Sequence, residues 1–232
     1  MRALIIETST ERGLLALVED EKILWSKELP FGYNQSKSLM PELQSMMQTL
    51  HPFPMPDCLG VGIGPGSYTG IRIGVAAGKA LAYSWKLPLI GVCSLMGFIP
   101  EGHNGTFAAI IDARMGGAYV LKGKIVDGIV EYIDIPKICS LIELNSYLKD
   151  TQVIVTPVVQ SLKAKLAVLY PQSQWEWKEV TVSASALNKE ISTKFQRKEW
   201  SINGQVELLY LRKTEAELEK ERKYSNHTST EV

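Results

Sequence analysis

A glycine-rich turn that leads into a helix is the segment of this sequence best suited to chemistry. Residues 59–63 form a short apolar run typical of a strand, and the Gly-Pro-Gly triplet 64–66 ends that run. Ser67 or Thr69 then offers a hydroxyl to cap the helix that follows. Exposed backbone amides and the positive end of a helix dipole both favour an anion, so the turn predicts a phosphate cradle.

Two common nucleotide motifs do not match this turn. A P-loop that ended at Gly78 and Lys79 would need glycine where Ile73 stands, and Ala80 replaces the hydroxyl that reaches magnesium. The dinucleotide fingerprint also fails, because its third glycine and the acidic residue about twenty positions further on are missing. We therefore exclude both motifs.

An acid and several hydroxyls end the first apolar run, where a fold of this kind can direct them at phosphate or metal. The alternative is an ordinary polar hairpin turn capped by hydroxyls. Together with the glycine turn, these residues form a candidate vestigial phosphate or metal site. Its members are Glu7, Thr8, Ser9, Gly64, Gly66 and Ser67.

No residue is assigned a catalytic or metal-binding role. The three histidines, His51, His103 and His227, are scattered, and no pair has the spacing of metal ligands. Asp112 and Arg114 flank a turn, and we expect them to brace each other as a structural polar cluster.

Small residues recur every four positions along the helix after the turn. Gly70, Gly74, Gly78 and Ala82 therefore share one stripe of its surface. Each interior glycine costs roughly 0.5–1 kcal/mol of helix stability relative to alanine, so a close contact must compensate. That contact is either inside the same subunit or with a helix of another chain.

Composition restricts the class of protein. The chain has 232 residues with Lys+Arg 25 and Asp+Glu 25, and this zero net charge argues against nucleic-acid binding by its own basic surface. Three widely spaced cysteines fit reduced thiols, and neither a signal peptide nor a membrane span is expected. We therefore expect a cytoplasmic protein without a membrane partner.

Alternating apolar runs and turns predict two related α/β units. The first has the order strand, strand, strand, helix, strand, helix, strand and covers residues 1–103. The second covers residues 104–212, with helices expected at about 141–149, 158–169 and 184–198. A charged tail, residues 213–232, is expected to be flexible.

Motifs spread over most of the chain resemble the bacterial TsaB (YeaZ) family. The resemblance implies an α/β fold of duplicated actin-like (ASKHA, ribonuclease H-like) lobes, with mixed sheets flanked by helices. Relatives usually have Asp where Glu7 stands and His where Gln35 stands, which weakens any case for nucleotide hydrolysis. The motifs are Ile5–Thr10, Gln35–Pro41, Gly62–Gly74, Gly91–Leu95, Asp112–Gly116 and Tyr210–Arg212.

The resemblance also implies a function and partners. It implies a non-catalytic scaffold in the machinery that places threonylcarbamoyl on the adenosine next to the anticodon of ANN-decoding tRNA. A TsaD-like catalytic paralogue would carry the metal and a TsaE-like ATPase would use ATP, so this subunit needs no cofactor and meets tRNA only through the complex. Alone, it would form a homodimer. The implied partner interface comprises Gly70, Ile71, Gly74, Val75, Gly78 and Ala82.

Two other functions are considered. One is an actin-like small-molecule kinase or ATPase that uses Glu7 and the glycine turn around a magnesium nucleotide. The other, a peptidase, has little support, because no Ser/His/Asp or metal arrangement is visible.

Overall fold

The first lobe is built on a five-stranded mixed sheet. A computed structural model describes residues 1–32 and 35–212 of the chain. The strands are β1 (Arg2–Glu7), β2 (Leu14–Glu19), β3 (Lys22–Glu28), β4 (Cys58–Gly62) and β5 (Leu89–Val92). The first three strands form an antiparallel meander, and the next two are parallel to the first strand, which gives the order β3-β2-β1-β4-β5.

Two helices cover one face of this sheet. Helix α1 (Ser36–Thr49) buries Leu39, Leu43 and Met46, whose spacing of three to four residues places them on one side of the helix. Helix α2 (Tyr68–Trp85) packs beside it against β4 and β1. The predicted order of elements in the first unit is therefore confirmed.

The second lobe is built on a six-stranded mixed sheet. A short 3₁₀ turn, Ser94–Gly97, connects the lobes. The expected helix at 141–149 is reduced to α3 (Leu144–Tyr147), and α4 (Val159–Leu169) follows. The strands are β6 (Gly105–Arg114), β7 (Gly117–Val126), β8 (Ile129–Tyr132), β9 (Lys137–Ser140), β10 (Val153–Thr156) and β11 (Glu176–Glu179). Their order is β11-β10-β6-β7-β8, and β9 pairs with β7 on the same edge as β8.

The last helix returns to the first lobe, which corrects the predicted boundary of residues 104–212. Helix α5 (Ala184–Gln196) contacts all five strands of the first sheet, and Ile191 packs directly on Gly60. Further along, Ser201 bridges to Leu89. The second lobe thus ends with β11, because the buried face of α5 is matched to the first sheet.

One apolar core joins the two lobes. It contains Ala3 and Ile5 from the first sheet, Phe107 and Val155 from the second, and Leu187 from α5. Among the described residues, no helix combines the length and apolar character needed to cross a bilayer. The charged tail, residues 213–232, lies outside the described residues.

Candidate functional site

The glycine turn is held by the end of the first strand. The hydroxyl of Ser67 caps α2 by accepting the N–H of Gly70, and the N–H of Ser67 donates to the carbonyl of Ser9 at 2.6 Å. A Cβ at Gly66 would lie 2.3 Å from the same carbonyl oxygen. The turn therefore needs glycine because backbone passes over backbone.

The small-residue stripe of α2 is buried against the chain's own sheet. A Cβ at Gly70 would lie 2.1 Å from the carbonyl oxygen of Thr8, and one at Gly74 would lie 2.4 Å from Thr8 Oγ1. A Cβ at Gly78 would meet the side chain of Val61 at 2.3 Å. Thr8 Oγ1 donates to the carbonyl of Gly70 at 2.7 Å, so the glycines allow α2 to approach β1 and β4 closely.

This packing corrects the expectation that the stripe forms the interface with a partner chain. A second chain cannot reach side chains that the first lobe already covers, and the compensating contact is intramolecular. The correction applies to Gly70, Ile71, Gly74, Val75, Gly78 and Ala82, all of which are buried.

Glu7 is fully buried and does not line the space between the lobes at the glycine turn. Its Oε1 atom accepts the N–H of Ser9 at 2.5 Å, and its Oε2 atom meets no hydrogen-bond partner within the described ranges. A Cβ at Gly62 would lie 1.8 Å from Oε2, so the carboxyl group rests on bare backbone. Burial raises the pKa of the Glu7 carboxyl group, and hydrogen bonding with Ser9 opposes this shift.

A cleft of about 480 Å³ separates the two lobes at the glycine turn. Of the six residues predicted to form a phosphate or metal site, Ser9, Gly66 and Ser67 line this cleft. Glu7, Thr8 and Gly64 are packed beneath them and do not line it. The structure thus gathers the predicted residues in one place but presents only half of them to a ligand.

The opposite wall of the cleft carries the predicted polar cluster. Asp112 accepts the N–H of Arg114 at 2.8 Å, and its second oxygen pairs with Lys165 at 2.5 Å. Arg114 and Met115 both have positive φ, in the left-handed region that non-glycine residues seldom adopt. The carboxylate of Asp112 therefore steadies a strained turn.

The acids that line the cleft differ from the one on which a nucleotide site was expected to depend. The acids on the cleft are Glu11 and Asp112, and the carboxylate of Asp112 is already engaged by Lys165. Glu7, the acid on which the kinase or ATPase alternative depends, faces the interior. No group of three or more metal-ligating side chains was found in the described part of the chain.

Two clusters at the edges of the cleft were not assigned from the sequence. In the first, Arg12 donates from Nε to the carbonyl of Pro157 at 2.7 Å and pairs with Glu179, which also accepts the N–H of Val159 at 3.0 Å. These contacts join the lobes across more than 140 residues of sequence. No local sequence pattern predicts these contacts, because their partners are remote in the chain.

The second cluster surrounds the start of α2. The rings of Tyr68 and Tyr210 stack with centroids 4.9 Å apart, and the guanidinium of Arg72 lies 3.8 Å from the centroid of Tyr68. Arg72 also donates to both phenolic oxygens. Arg212 reaches the second lobe and donates to the carbonyls of Ala113 and Arg114. The Tyr-Leu-Arg motif, quoted above only for the resemblance, is thus a strap between the lobes.

Comparison with known proteins identifies relatives of this chain. The family model described as TsaD, tRNA N6-adenosine threonylcarbamoyltransferase, matches residues 33–218. The chain is 32% identical over 136 residues to the tRNA threonylcarbamoyladenosine biosynthesis protein TsaB of Bacillus subtilis, covering 57% of this chain and 59% of the relative. It is 38% identical over 125 residues to the TsaB protein of Escherichia coli, covering 51% and 53%. The alignments therefore span little more than half the length of these curated relatives.

Solved structures support the same assignment at the level of fold. YeaZ from Pseudomonas aeruginosa superposes with a TM-score of 0.75 at 20% identity, covering 90% of this chain and 99% of that chain. The predicted actin-like fold of two lobes with mixed sheets is confirmed. The chain belongs to the family described as TsaD, tRNA N6-adenosine threonylcarbamoyltransferase, and within it to the TsaB/YeaZ group.

Proposed function

We propose that this chain is a non-catalytic scaffold subunit in the transfer of threonylcarbamoyl to the adenosine next to the anticodon of ANN-decoding tRNA. In this proposal a TsaD-like paralogue performs the chemistry in the cytoplasm, and a TsaE-like ATPase joins the assembly. The names of the curated relatives support the pathway. The observation that carries the scaffold role is the interior placement of Glu7, the acid on which the kinase or ATPase alternative depends, outside the lining of the cleft.

The outer face of α2 is the surface we assign to the paralogue. Ile73, Ala76, Ala80 and Tyr83 follow one another at intervals of three, four and three residues, on the side of the helix opposite the buried glycines. Ala76 and Ala80 are exposed, and Tyr83 is 86% exposed. An apolar stripe with small residues at its centre suits close packing against a partner helix.

Helix α1 extends this surface. Met40 and Met47, seven residues apart, are 46% and 36% exposed on the outer side of the same layer. Phe53, after α1, packs against Trp85 at the end of α2, which ties the two helices together. In this proposal, the same two-helix surface also forms a homodimer when the paralogue is absent. A two-fold dimer uses the same surface patch on both of its subunits.

Substitution on the outer face of α2 tests the proposal. We expect Tyr83→Glu to weaken the heterodimer with the cognate TsaD-like paralogue at least about tenfold, since a buried aromatic anchor contributes more than 1 kcal/mol to many interfaces. Calorimetry or sedimentation with the purified pair would measure this. Val168→Glu is the matched control, because Val168 is an 82% exposed apolar residue on α4 in the other lobe.

A functional readout completes the test. Depletion of the chain should lower threonylcarbamoyladenosine in cellular tRNA, and expression of the Val168→Glu variant should restore it while Tyr83→Glu should not. Equal restoration by the two variants would contradict the assigned interface. An unchanged nucleoside content after depletion would contradict the proposed function itself.

A further inference from the structure

We propose that Tyr68, Arg72, Tyr210 and Arg212, here called the Tyr68–Tyr210 patch, bind unstacked nucleotides in a loop of the RNA substrate. This inference rests on the proposed function, in which a tRNA reaches the assembled complex. It adds that this chain contributes its own RNA contact, at the edge of the cleft between the lobes.

The aromatic part of the patch remains open to solvent although its rings are already stacked. Tyr68 and Tyr210 have an interplanar angle of 29°, and each residue is 41% exposed. A tyrosine pair that served only to fasten the strap would gain more by full burial. Because the Tyr68 ring already contacts both Arg72 and Tyr210, we assign the stacking contact with a nucleobase to the ring of Tyr210.

The charged part of the patch is not neutralised by the protein. Arg2, Arg12 and Arg197 each pair with a glutamate, whereas no carboxylate lies within ion-pair distance of Arg72 or Arg212 within residues 1–32 and 35–212. Arg72 donates to two phenolic oxygens, and Arg212 donates to two backbone carbonyls. Arg72 contacts the Tyr210 side chain and Arg212 follows Tyr210 by two residues, so two arginines without a carboxylate partner flank this tyrosine on a chain of zero formal net charge.

The combination favours RNA over an acidic peptide. Phosphates would satisfy the uncompensated guanidinium groups, and the bases next to those phosphates would use the exposed rings. An acidic peptide would use the charges but not the stacked pair. A fixed arginine–tyrosine–tyrosine cluster matches single-stranded nucleotides, because bases in a duplex are not available for stacking on a side chain.

Binding of RNA to the reconstituted heterodimer tests the patch. The probes are an unmodified transcript of an ANN-decoding tRNA, its isolated anticodon stem-loop and a fully paired RNA duplex. We expect Tyr210→Leu to weaken binding of the first two probes at least about tenfold, the loss expected when one base–aromatic stack is removed. Arg72→Gln should weaken the same probes and reduce the dependence of binding on salt.

Matched variants separate the patch from general effects on folding or charge. Tyr210→Phe keeps the ring, and Arg197→Gln removes a guanidinium that is 68% exposed at the end of α5. Both should bind the tRNA within about twofold of the unsubstituted chain if stacking and local charge carry the interaction. The affinity between the two protein subunits, measured without RNA, should be unchanged for the two Tyr210 variants and for Arg197→Gln. RNA binding by Arg72→Gln is measured at saturating subunit concentration, because Arg72 lies one turn before Ala76 on the face assigned to the paralogue.

Each alternative result has a definite meaning. Loss of subunit affinity with Tyr210→Leu would show that the patch binds a protein, and would overturn the inference. Equal RNA affinity in all variants, or equal loss of duplex binding, would also overturn it. If the unsubstituted chain fails to pair with the paralogue, the proposed function fails first, which is distinguishable because that measurement contains no RNA.

Discussion

The guanidinium of Arg12 and the carboxylate of Glu179 pair across the two lobes, 167 positions apart in the chain. Arg12 lies on the turn after β1, and Glu179 is the last residue of β11, a strand at one edge of the second sheet. Arg12 Nε also donates to the carbonyl of Pro157, while Glu179 accepts the N–H of Val159 at the start of α4. One ion pair thus fixes a first-lobe turn to the helix that borders the cleft.

Removal of this connection should destabilise the whole chain. We expect Arg12→Met to lower the free energy of unfolding by about 1–3 kcal/mol, because it strips the carbonyl of Pro157 and the carboxylate of Glu179 of a donor. Urea denaturation followed by circular dichroism measures the change. The control is Arg197→Met, since Arg197 is more exposed and its ion pair with Glu199 is long at 4.0 Å. We expect this control to lower the free energy of unfolding by less than about 0.5 kcal/mol.

The buried acid gives a prediction with a definite sign in pH. The folded state raises the pKa of Glu7 by burial, so its charged form is disfavoured there relative to the unfolded chain. Its contribution to stability is therefore present below its unfolded pKa of about 4.3 and is lost as pH rises towards the folded value. We expect Glu7→Gln to raise the free energy of unfolding at neutral pH by about 1–3 kcal/mol.

Stability curves between acid and neutral pH check this expectation. The Glu7→Gln chain should show a flatter dependence on pH than the unsubstituted chain, and the gap between them should close in acid. Glu101→Gln, at an exposed glutamate, serves as the control with no such gap. A lower stability of Glu7→Gln at neutral pH would mean that the charged carboxylate has a partner and a role.

Much of the first lobe could be predicted because its signals are local. Apolar runs and turn residues predict the order of its seven elements. The alternation of side-chain direction along β1 also indicates on which face of the sheet Glu7 lies. Ala3 and Ile5 belong to the core between the lobes, while Leu4 and Ile6 face α1 and α2. Since Glu7 continues the first series, a period of two places it inside and away from the helices.

Other features could not be predicted, because the deciding contacts join residues remote in sequence. Glycines four apart show that something approaches α2 closely, but they do not say whether it is Thr8 of the same chain or a partner's helix. The return of α5 to the first sheet depends on the fit of Ile191 over Gly60. Both depend on tertiary packing that no local pattern records.

Addition of magnesium ATP to the purified chain tests the alternative of a kinase or ATPase. Because the carboxyl group of Glu7 is buried and Asp112 is paired with Lys165, we expect no saturable heat of binding and no turnover at millimolar nucleotide. Isothermal calorimetry and a phosphate-release assay measure the two quantities. Saturable binding that Glu7→Gln abolishes would revive the alternative and show that Glu7 can turn towards the cleft.

The contact of Gly74 with Thr8 can be tested because the effect of Gly74→Ala on the free energy of unfolding should change sign when Thr8 is also substituted. In the unsubstituted chain, Gly74→Ala places a Cβ 2.4 Å from Thr8 Oγ1, and we expect a loss of about 1–3 kcal/mol from overpacking. Once Thr8→Ala has removed that oxygen, the nearest remaining atoms are Ile6 Cγ2 and Thr8 Cβ, both at 3.6 Å, which is an ordinary contact. The same Gly74→Ala change should then stabilise the helix by about 0.5–1 kcal/mol, the usual advantage of alanine over glycine.

A double-mutant cycle of unfolding free energies measures the difference. If Gly74→Ala is equally harmful in both backgrounds, Thr8 is not what holds the stripe against the sheet. If it instead leaves stability unchanged but weakens the heterodimer, the stripe faces the partner after all.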